Sequence, residues 1–468
     1  MDGSRIAFKG TLQQLLEKVE TGEMIPKMQA SHAPMCKFMT AFLVLNGIRH
    51  CVPLVHAPTG CALLMSEWAR RSACCERRGV PLEPVPCTTF DESDVIYGGE
   101  GKLLEAVQEA DKKYHPDLIV ILSCCTAGII GDDVEMIAQE AEKLVNSRVL
   151  AIKSEGFGGD FRSGYEDAFK LIMELMEPPK KKQEKTINIL GARVGPTATE
   201  ISEDLKEIER LLGEVGIKIN AEIAGGCTVE EIRRAREVEL NASWCYDWGQ
   251  KLGDLMKDRF GMPYSRTGLP YGLKATEEWL LGVARPLGME KEALEVIKRE
   301  TKKVLPELDC LERTLKGKTV IVEPTTVFNG PIRGLAMARM VEEFGAHPIV
   351  INIHPYTIKE RVPSIKYLLE TGLNPEVILT KGVFRLGSYS EMWQTEEELE
   401  KVVQGYDNAI YFGSSDRYPP CPVVNLGLVS RFPRYGFKGI QNIARLVETA
   451  LKDTSRPRSK LFKEMIYG

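Results

Sequence analysis

The sequence predicts an α/β chain of three Rossmann-like units built on mostly parallel sheets, and three observations lead there. Short apolar runs recur at 117–123 (DLIVILS), 185–191 (KTINILG), 318–324 (KTVIVEP) and 408–416 (NAIYFGSSD), each followed by a Gly- or Ser-rich turn and a helical pattern. Runs of four to seven apolar residues alternating with helices are the signature of βαβ units, whose parallel strands are buried on both faces. The chain has 468 residues, too many for one core and enough for about three domains. Two charged connectors, EPPKKKQEK at 177–185 and LERTLKGK at 311–318, place the boundaries, giving units over 1–183, 184–316 and 317–468.

Composition narrows the function before any motif is read. Hydrophobic residues make up 43% and charged residues 27% of the chain, with a formal net charge of -5, so neither nucleic acid nor an anionic membrane is an expected partner. The N-terminal stretch MDGSRIAFKGTLQQLLEKVETGE is charged and amphipathic, without a signal peptide's apolar core, and no segment has the ~18 apolar residues of a membrane span. A cytoplasmic protein is expected. Twelve cysteines in such a chain are expected to be reduced thiols, and an arbitrary one is a small buried core residue unless its position says otherwise. P-loop, GxGxxG and kinase signatures are absent, so the chain itself is not expected to bind ATP or a nicotinamide.

Position singles out three cysteines of the first unit. Ligands of open α/β sheets collect at loops beyond the carboxyl ends of strands. Cys61 closes the run CVPLVHAPTG after a Pro-Thr-Gly turn, and Cys125 lies between DLIVILS and GIIGDDVEMIAQEAEKLV, where Asp132, Asp133 and Glu135 fit the first turn of a helix. Cys36, in SHAPMCKFMTAF, stands at or just before a helix start, 25 residues ahead of Cys61; Cys125 follows 64 residues later. No CxxC pair occurs, which removes zinc-ribbon and ferredoxin-type motifs. Glycine-rich turns beside the thiols favour a bulky inorganic cluster, because backbone N–H groups approach sulfides closely only where no Cβ intervenes. Three thiols leave an Fe–S cluster short of ligands, so a second subunit is expected to supply the rest. Cys124 and Cys125 are neighbours whose side chains diverge, so one of the two is expected to ligate.

The segments MCKFMTAFLVLNGIRHCVPLVHAPTGC, SDVIYGGEGKLLEAV, CCTAGIIGDDVE and IKSEGFGGDFRSGY resemble the first domain of nitrogenase component 1 subunits, the family of the molybdenum-iron protein and its relatives, and the likeness runs in order over most of the chain. In that family a cysteine after a His-Gly-Pro-x-Gly turn, one about 25 residues upstream and one six residues before Gly-Asp-Asp bind half of an interfacial Fe–S cluster. The resemblance assigns these roles to Cys61, Cys36 and Cys125, with Ala57 where the family usually has Gly. The cluster would be P-cluster-like with eight irons, or a [4Fe–4S] cluster. In VELNASWCYDWGQKLGDLMKDRFGMPY, Cys245 stands 16 residues before the Gly of a Gly261-x-Pro263 motif, as does the α-type cysteine that ligates the large FeMo-cofactor-like or iron-only Fe–S cofactor. That cysteine is missing from protochlorophyllide reductase subunits.

Departures from the family narrow the activity. The six histidines are His32, His50, His56, His115, His347 and His354, whereas α-chains bind the cofactor's heterometal through a histidine near the C-terminus; Tyr435, in VSRFPRYGFKGIQNIAR, takes that place. A family histidine after the Glu-Gly-Phe motif is also missing, with Arg162, Tyr165 and Glu166 there instead. A neutral imidazole that binds metal and relays protons has no simple substitute, so dinitrogen is not the expected substrate. Arg162, Arg333 and Arg434 are candidates to neutralise an anionic cofactor and donate to its sulfides; Cys421 reads as a structural thiol, and Cys74, Cys75 and Cys227 have no motif support. The resemblance implies an oxidoreductase in an α2β2 assembly with a homologous β-type chain. It would be driven by a homodimeric iron protein that alone binds ATP, and would reduce a small molecule such as a methylthio-alkane by C–S cleavage. The alternatives are a non-catalytic scaffold for cofactor assembly and a true nitrogenase α chain.

Overall fold

The computed structural model describes residues 6–23, 36–71, 85–159, 161–191, 198–244, 248–323, 330–351, 362–380, 396–413, 419–426 and 432–452. Its strands form three sheets. The first holds β2 (Cys51–His56), β3 (Leu118–Ser123) and β4 (Arg148–Lys153) in that order, all parallel. The second has the order β6-β5-β7-β8, from β5 (Gln183–Leu190), β6 (Lys218–Ile223), β7 (Val238–Ser243) and the short β8 (Tyr264–Ser265), also parallel. The third has the order β1-β11-β10-β9-β12-β13.

The third sheet carries the only antiparallel pairing among the described strands. Strands β9 (Thr319–Val322), β10 (His347–Ile351), β11 (Glu376–Thr380), β12 (Ile410–Gly413) and β13 (Val423–Asn425) run parallel, and β1 (Ile6–Thr11) pairs antiparallel with β11, from Ile6 opposite Thr380 to Thr11 opposite Glu376. The chain's first strand, which a boundary at 183 assigns to the first unit, thus covers the edge of the third sheet, where unpaired backbone groups would otherwise lie open. The boundaries at 183 and 316 themselves fall at the first residue of β5 and between the helix Leu305–Leu315 and β9.

Strands β2 and β3 are buried at every residue, as expected of parallel strands covered on both faces. One contiguous apolar core runs from Phe8 to Ala450 through all three units. The amphipathic helix Gly436–Lys452 joins the units by packing against the helices Ala198–Val215, Gly272–Ala284 and Leu305–Leu315. Among the described residues no helix is long and apolar enough to cross a membrane.

Two helices flank the first sheet and fix the candidate site. Lys37–Leu45 packs along Phe161–Glu174, and the approach is so close that a Cβ on Gly164 would lie 2.1 Å from both the Lys37 carbonyl and Thr40 Oγ1. The Lys37–Asp167 ion pair, at 2.8 Å, ties the same helices. Because the contact is with backbone, Gly164→Ala must push the helices apart; we expect a loss of about 1–3 kcal/mol, measured as a lowered urea midpoint at unchanged m-value.

Candidate functional site

Strands β2, β3 and β4 are parallel and in register, with His56 opposite Ser123 and Ser123 opposite Lys153, so the segments leaving them emerge at one edge. After β2 the chain turns through Pro58 and enters the helix Thr59–Arg71, placing Cys61 in its first turn. After β3, Cys124 is the N-cap of the helix Cys125–Ile130, and Cys125 is its first residue. Cys36 is the extended N-cap of the helix Lys37–Leu45. All three thiols therefore stand at helix starts, where the positive end of the macrodipole favours a thiolate.

After β4 comes Gly156, the wedge between two of them. Its N–H donates to Cys125 Sγ at 3.2 Å, and a Cβ on it would sit 3.2 Å from Cys125 Sγ and 3.3 Å from Cys36 Cβ. A side chain there would require the two cysteines to give by a few tenths of an ångström. Cys125 is exposed, while Cys36 and Cys61 are half-buried. Burial pushes the Cys36 thiol up, whereas at Cys61 the neighbouring Cys124 side chain outweighs burial and holds the thiol down at about 7. Among the described residues no three His, Cys, Asp or Glu side chains converge to hold a single metal ion. A rim of three separated thiols, one of them accepting from a backbone N–H, fits a multi-iron cluster better than a mononuclear site.

The sequence reading missed two elements of this rim. Cys87 lies beside β2 through a bridge to Val55; its Sγ donates to the Ala57 carbonyl at 3.3 Å and accepts from Thr89 N–H. Nothing in VPCTTF signals this, since the bridge is a tertiary pairing. The second is the fully buried pair His56–Asp132, Nε2 to Oδ2 at 3.0 Å, with the Gly99 N–H donating to both Asp132 oxygens and Phe90 edge-on to the imidazole. Asp132 was expected in a helix first turn; the structure gives that role to Asp133, which caps Val134–Glu142 by accepting from Met136 N–H, and turns Asp132 inward. The Cys124 N–H then donates to the His56 carbonyl at 3.2 Å, so this hydrogen-bonded pair anchors the thiol-bearing loop. On the other side Ser123 Oγ donates to Glu155 at 2.5 Å, and a Cβ on Gly128 would lie 2.4 Å from Glu155 Cγ.

The remaining candidates fall elsewhere. Cys245, Cys74 and Cys75 lie outside the described residues. Trp244, the chain neighbour of Cys245, stacks 5.1 Å from Tyr435, which meets Tyr271 edge-on at 4.6 Å; Arg333 Nε donates to the Tyr271 hydroxyl at 2.9 Å. Tyr435 is buried, and burial raises its phenol well above the ordinary tyrosine range. Arg434 is buried against Asp204, which also accepts the Arg434 and Tyr435 backbone N–H groups, and its Nη1 donates to the Leu426 carbonyl. Arg333 and Arg434 thus belong to the junction of the second and third units, away from the thiol rim. Arg162 is half-buried in the helix Phe161–Glu174. Cys421 packs in the outer core cluster of the third sheet, and Cys227 is buried with its thiol pushed up to about 12 by desolvation.

His56 gives the site a pH signature. Burial lowers its pKa below the ordinary 6.5 despite the pull of Asp132, so the folded chain resists a proton that the unfolded chain accepts. Stability is therefore full above about pH 6.5 and falls as pH drops through that value. Comparing urea midpoints between about pH 7.5 and 5.5, we expect His56→Gln to be less stable at the upper end and to show a shallower decline.

Comparison with known proteins bears on the family and the fold. The family model described as nitrogenase component 1 type oxidoreductase matches residues 36–452. The chain is 30% identical over 395 residues to the nitrogenase iron-molybdenum cofactor biosynthesis protein NifE of Methanosarcina barkeri, covering 79% of this chain and 82% of that protein. It is 28% identical over 353 residues to the nitrogenase molybdenum-iron protein alpha chain of Clostridium pasteurianum, covering 72% and 64%. The solved structure of nitrogenase Cp1 at pH 6.5 superposes with a TM-score of 0.67 at 20% identity over 93% of this chain and 92% of that one, which is a likeness of fold. With its family model spanning nearly the whole chain, this protein belongs to the nitrogenase component 1 type oxidoreductases.

Proposed function

We propose that the chain is the α-type subunit of an ATP-driven, iron-protein-dependent reductase, in which Cys36, Cys61 and Cys125 supply half the ligands of an interfacial Fe–S cluster and Cys245 the thiolate for a larger Fe–S cofactor. The observation that carries this reading is the delivery of three thiols, at three separate helix starts, to one side of the first sheet, with Gly156 between Cys36 and Cys125. When bound, the two groups would supply low-potential one-electron transfer and the reducing centre. The chain's own contribution is thiolate ligation, the Gly156 N–H on the Cys125 sulfur, and loops pinned by His56–Asp132 and Ser123–Glu155.

A homologous β-type chain would complete the ligand set in an α2β2 assembly. In support, large apolar side chains are exposed beside the thiols: Leu63 and Ile129, on the helices of Cys61 and Cys125, are 68% and 76% exposed, Phe157, next to Gly156, is 65% exposed, and Ile96 and Tyr97 stand on a helix contacting Cys125–Ile130. Such surface on a soluble rim calls for a protein partner. The iron protein, a homodimer binding the ATP, would dock on the assembly in the cytoplasm.

The substrate reading rests on the buried aromatic group of Trp244, Tyr271 and Tyr435. Tyr435 stands where the family resemblance expects a heterometal-binding histidine, and a buried phenol that holds its proton tightly is a poor replacement for an imidazole. This supports a substrate other than dinitrogen, such as a methylthio-alkane cleaved at its C–S bond. A second reading, a scaffold for cofactor assembly, draws on the likeness to cofactor biosynthesis proteins; the likeness to alpha chains keeps a true nitrogenase as the third.

Anaerobic co-purification with the β-type chain tests the ligand set. Each of Cys36→Ala, Cys61→Ala and Cys125→Ala is expected to strip iron and loosen subunit association, because loss of one thiolate leaves an undercoordinated, buried charge, while Cys124→Ala keeps its iron. Full iron in Cys61→Ala would overturn the assignment. For the larger cofactor, Cys245→Ala should abolish its electron paramagnetic resonance signal and leave the interfacial cluster's signal intact. Hydrocarbon and thiol release from methylthio compounds, with iron protein and ATP, separates the readings: turnover supports the reductase, and cofactor transfer to an apo-nitrogenase without turnover supports the scaffold.

A further inference from the structure

The helix Gly436–Lys452 begins without an acid of its own. Its first turn holds Gly436, Phe437 and Lys438, and Tyr435 ahead of it is not a capping residue. Two carboxylates of another helix supply what is missing. Asp204 and Glu207 stand one turn apart on Ala198–Val215, and each is 1% exposed. Asp204 Oδ1 accepts the Arg434 N–H at 2.5 Å and the Tyr435 N–H at 3.1 Å, and Glu207 Oε1 accepts the Lys438 N–H at 3.3 Å. Both charges sit at the positive end of the helix macrodipole and are further offset by cations: the Arg434 guanidinium lies 3.7 Å from Asp204 Oδ2, and Arg210 donates twice to Glu207. The helix start lies flush on this face, since Gly436 takes φ +69° and a Cβ on it would be 2.8 Å from Glu207 Cγ.

Tyr435 is thus placed by the second unit, although it belongs to the third. Asp204 holds its N–H, the next N–H, of Gly436, donates to the Pro270 carbonyl at 3.2 Å, and its ring meets Trp244 and Tyr271. A ring held by other rings alone can slide or tilt, because such contacts are broad in geometry; a hydrogen bond to the same residue's backbone removes that freedom. We propose that Asp204 is a positioning residue for Tyr435: by holding the Tyr435 backbone N–H, it fixes where the phenol closes one end of the larger cofactor's site. The inference deepens the reading in which Tyr435 replaces a heterometal-binding histidine, and it rests on that reading.

The first measurement needs no cofactor. Near-ultraviolet circular dichroism of the full chain is recorded with and without Trp244→Phe, and the difference isolates the band of Trp244 against Tyr435. Asp204→Ala should lose most of that band, whereas Asp204→Asn, whose amide oxygen still accepts both N–H groups, should keep it. Should Asp204→Ala not fold, Asp204→Ser, too short to reach the backbone, takes its place with the same loss expected. The second measurement uses the assembly purified anaerobically with its β-type partner, with iron quantified. Asp204→Ala should shift the electron paramagnetic resonance line shape of the larger cofactor, leave the interfacial cluster's signal unchanged, and add no further shift in a Tyr435→Leu background. An intact band in Asp204→Ala, an equal loss in Asp204→Asn, or a full further shift on top of Tyr435→Leu overturns the inference. A band lost as expected, with a cofactor signal that neither Asp204→Ala nor Tyr435→Leu alters, overturns instead the reading that sets Tyr435 at the cofactor, and Asp204 then only holds Tyr435 in place.

Discussion

The candidate site depends on the in-register parallel pairing of β2, β3 and β4. Parallel strands deliver all their following loops to the same sheet edge, and here that edge receives Cys61, Cys124, Cys125 and Gly156 from three separate crossovers. A slip of one residue in β3 would turn Ser123 away from Glu155 and exchange the inward and outward thiols, because side-chain direction alternates with period two. Full burial of β2 and β3 penalises that slip, since each strand would lose packing on both faces at once.

Polar groups below the rim turn register into position. His56 and Asp132 are both removed from water, an arrangement that pays only when each partner is fully used, and their attachments spread outward to Gly99 and, through the His56 carbonyl, to Cys124. Glu155 performs the same task on the other flank by bridging Ser123 across the bare face of Gly128. Loops that would otherwise be the softest part of an α/β unit are thereby held at both ends. That rigidity suits the role proposed for these thiols, since ligands of a preformed inorganic group must be held within a fraction of an ångström.

Much of this was legible in the sequence, and the limits have physical causes. The apolar runs at 117–123, 185–191, 318–324 and 408–416 became β3, β5, β9 and β12 because doubly buried strands must be continuously apolar, a property visible without any partner. Cys36, Cys61 and Cys125 could be picked out by their turns and helix starts, which are local. The proximity of Cys124 to Cys61, the bridge that places Cys87, and the inward turn of Asp132 are contacts between residues 32 to 76 positions apart, and no periodicity encodes them. The strand at 6–11 was hidden for another reason: IAFKGT is short and mixed, as an edge strand is, and its partner lies in another unit.

That edge strand has a consequence for biosynthesis. Ile6 pairs with Thr380, so β1 leaves the ribosome long before β11 exists to receive it. At about 5–20 residues per second, the wait is roughly 20–70 s. During that interval the first and second units can close their own sheets, each made of strands contiguous in the chain, while the N-terminal strand remains an open template for stray β-pairing. Lys9 within it, which ends up beside Glu376, places a positive charge on that template until its proper neighbour is made.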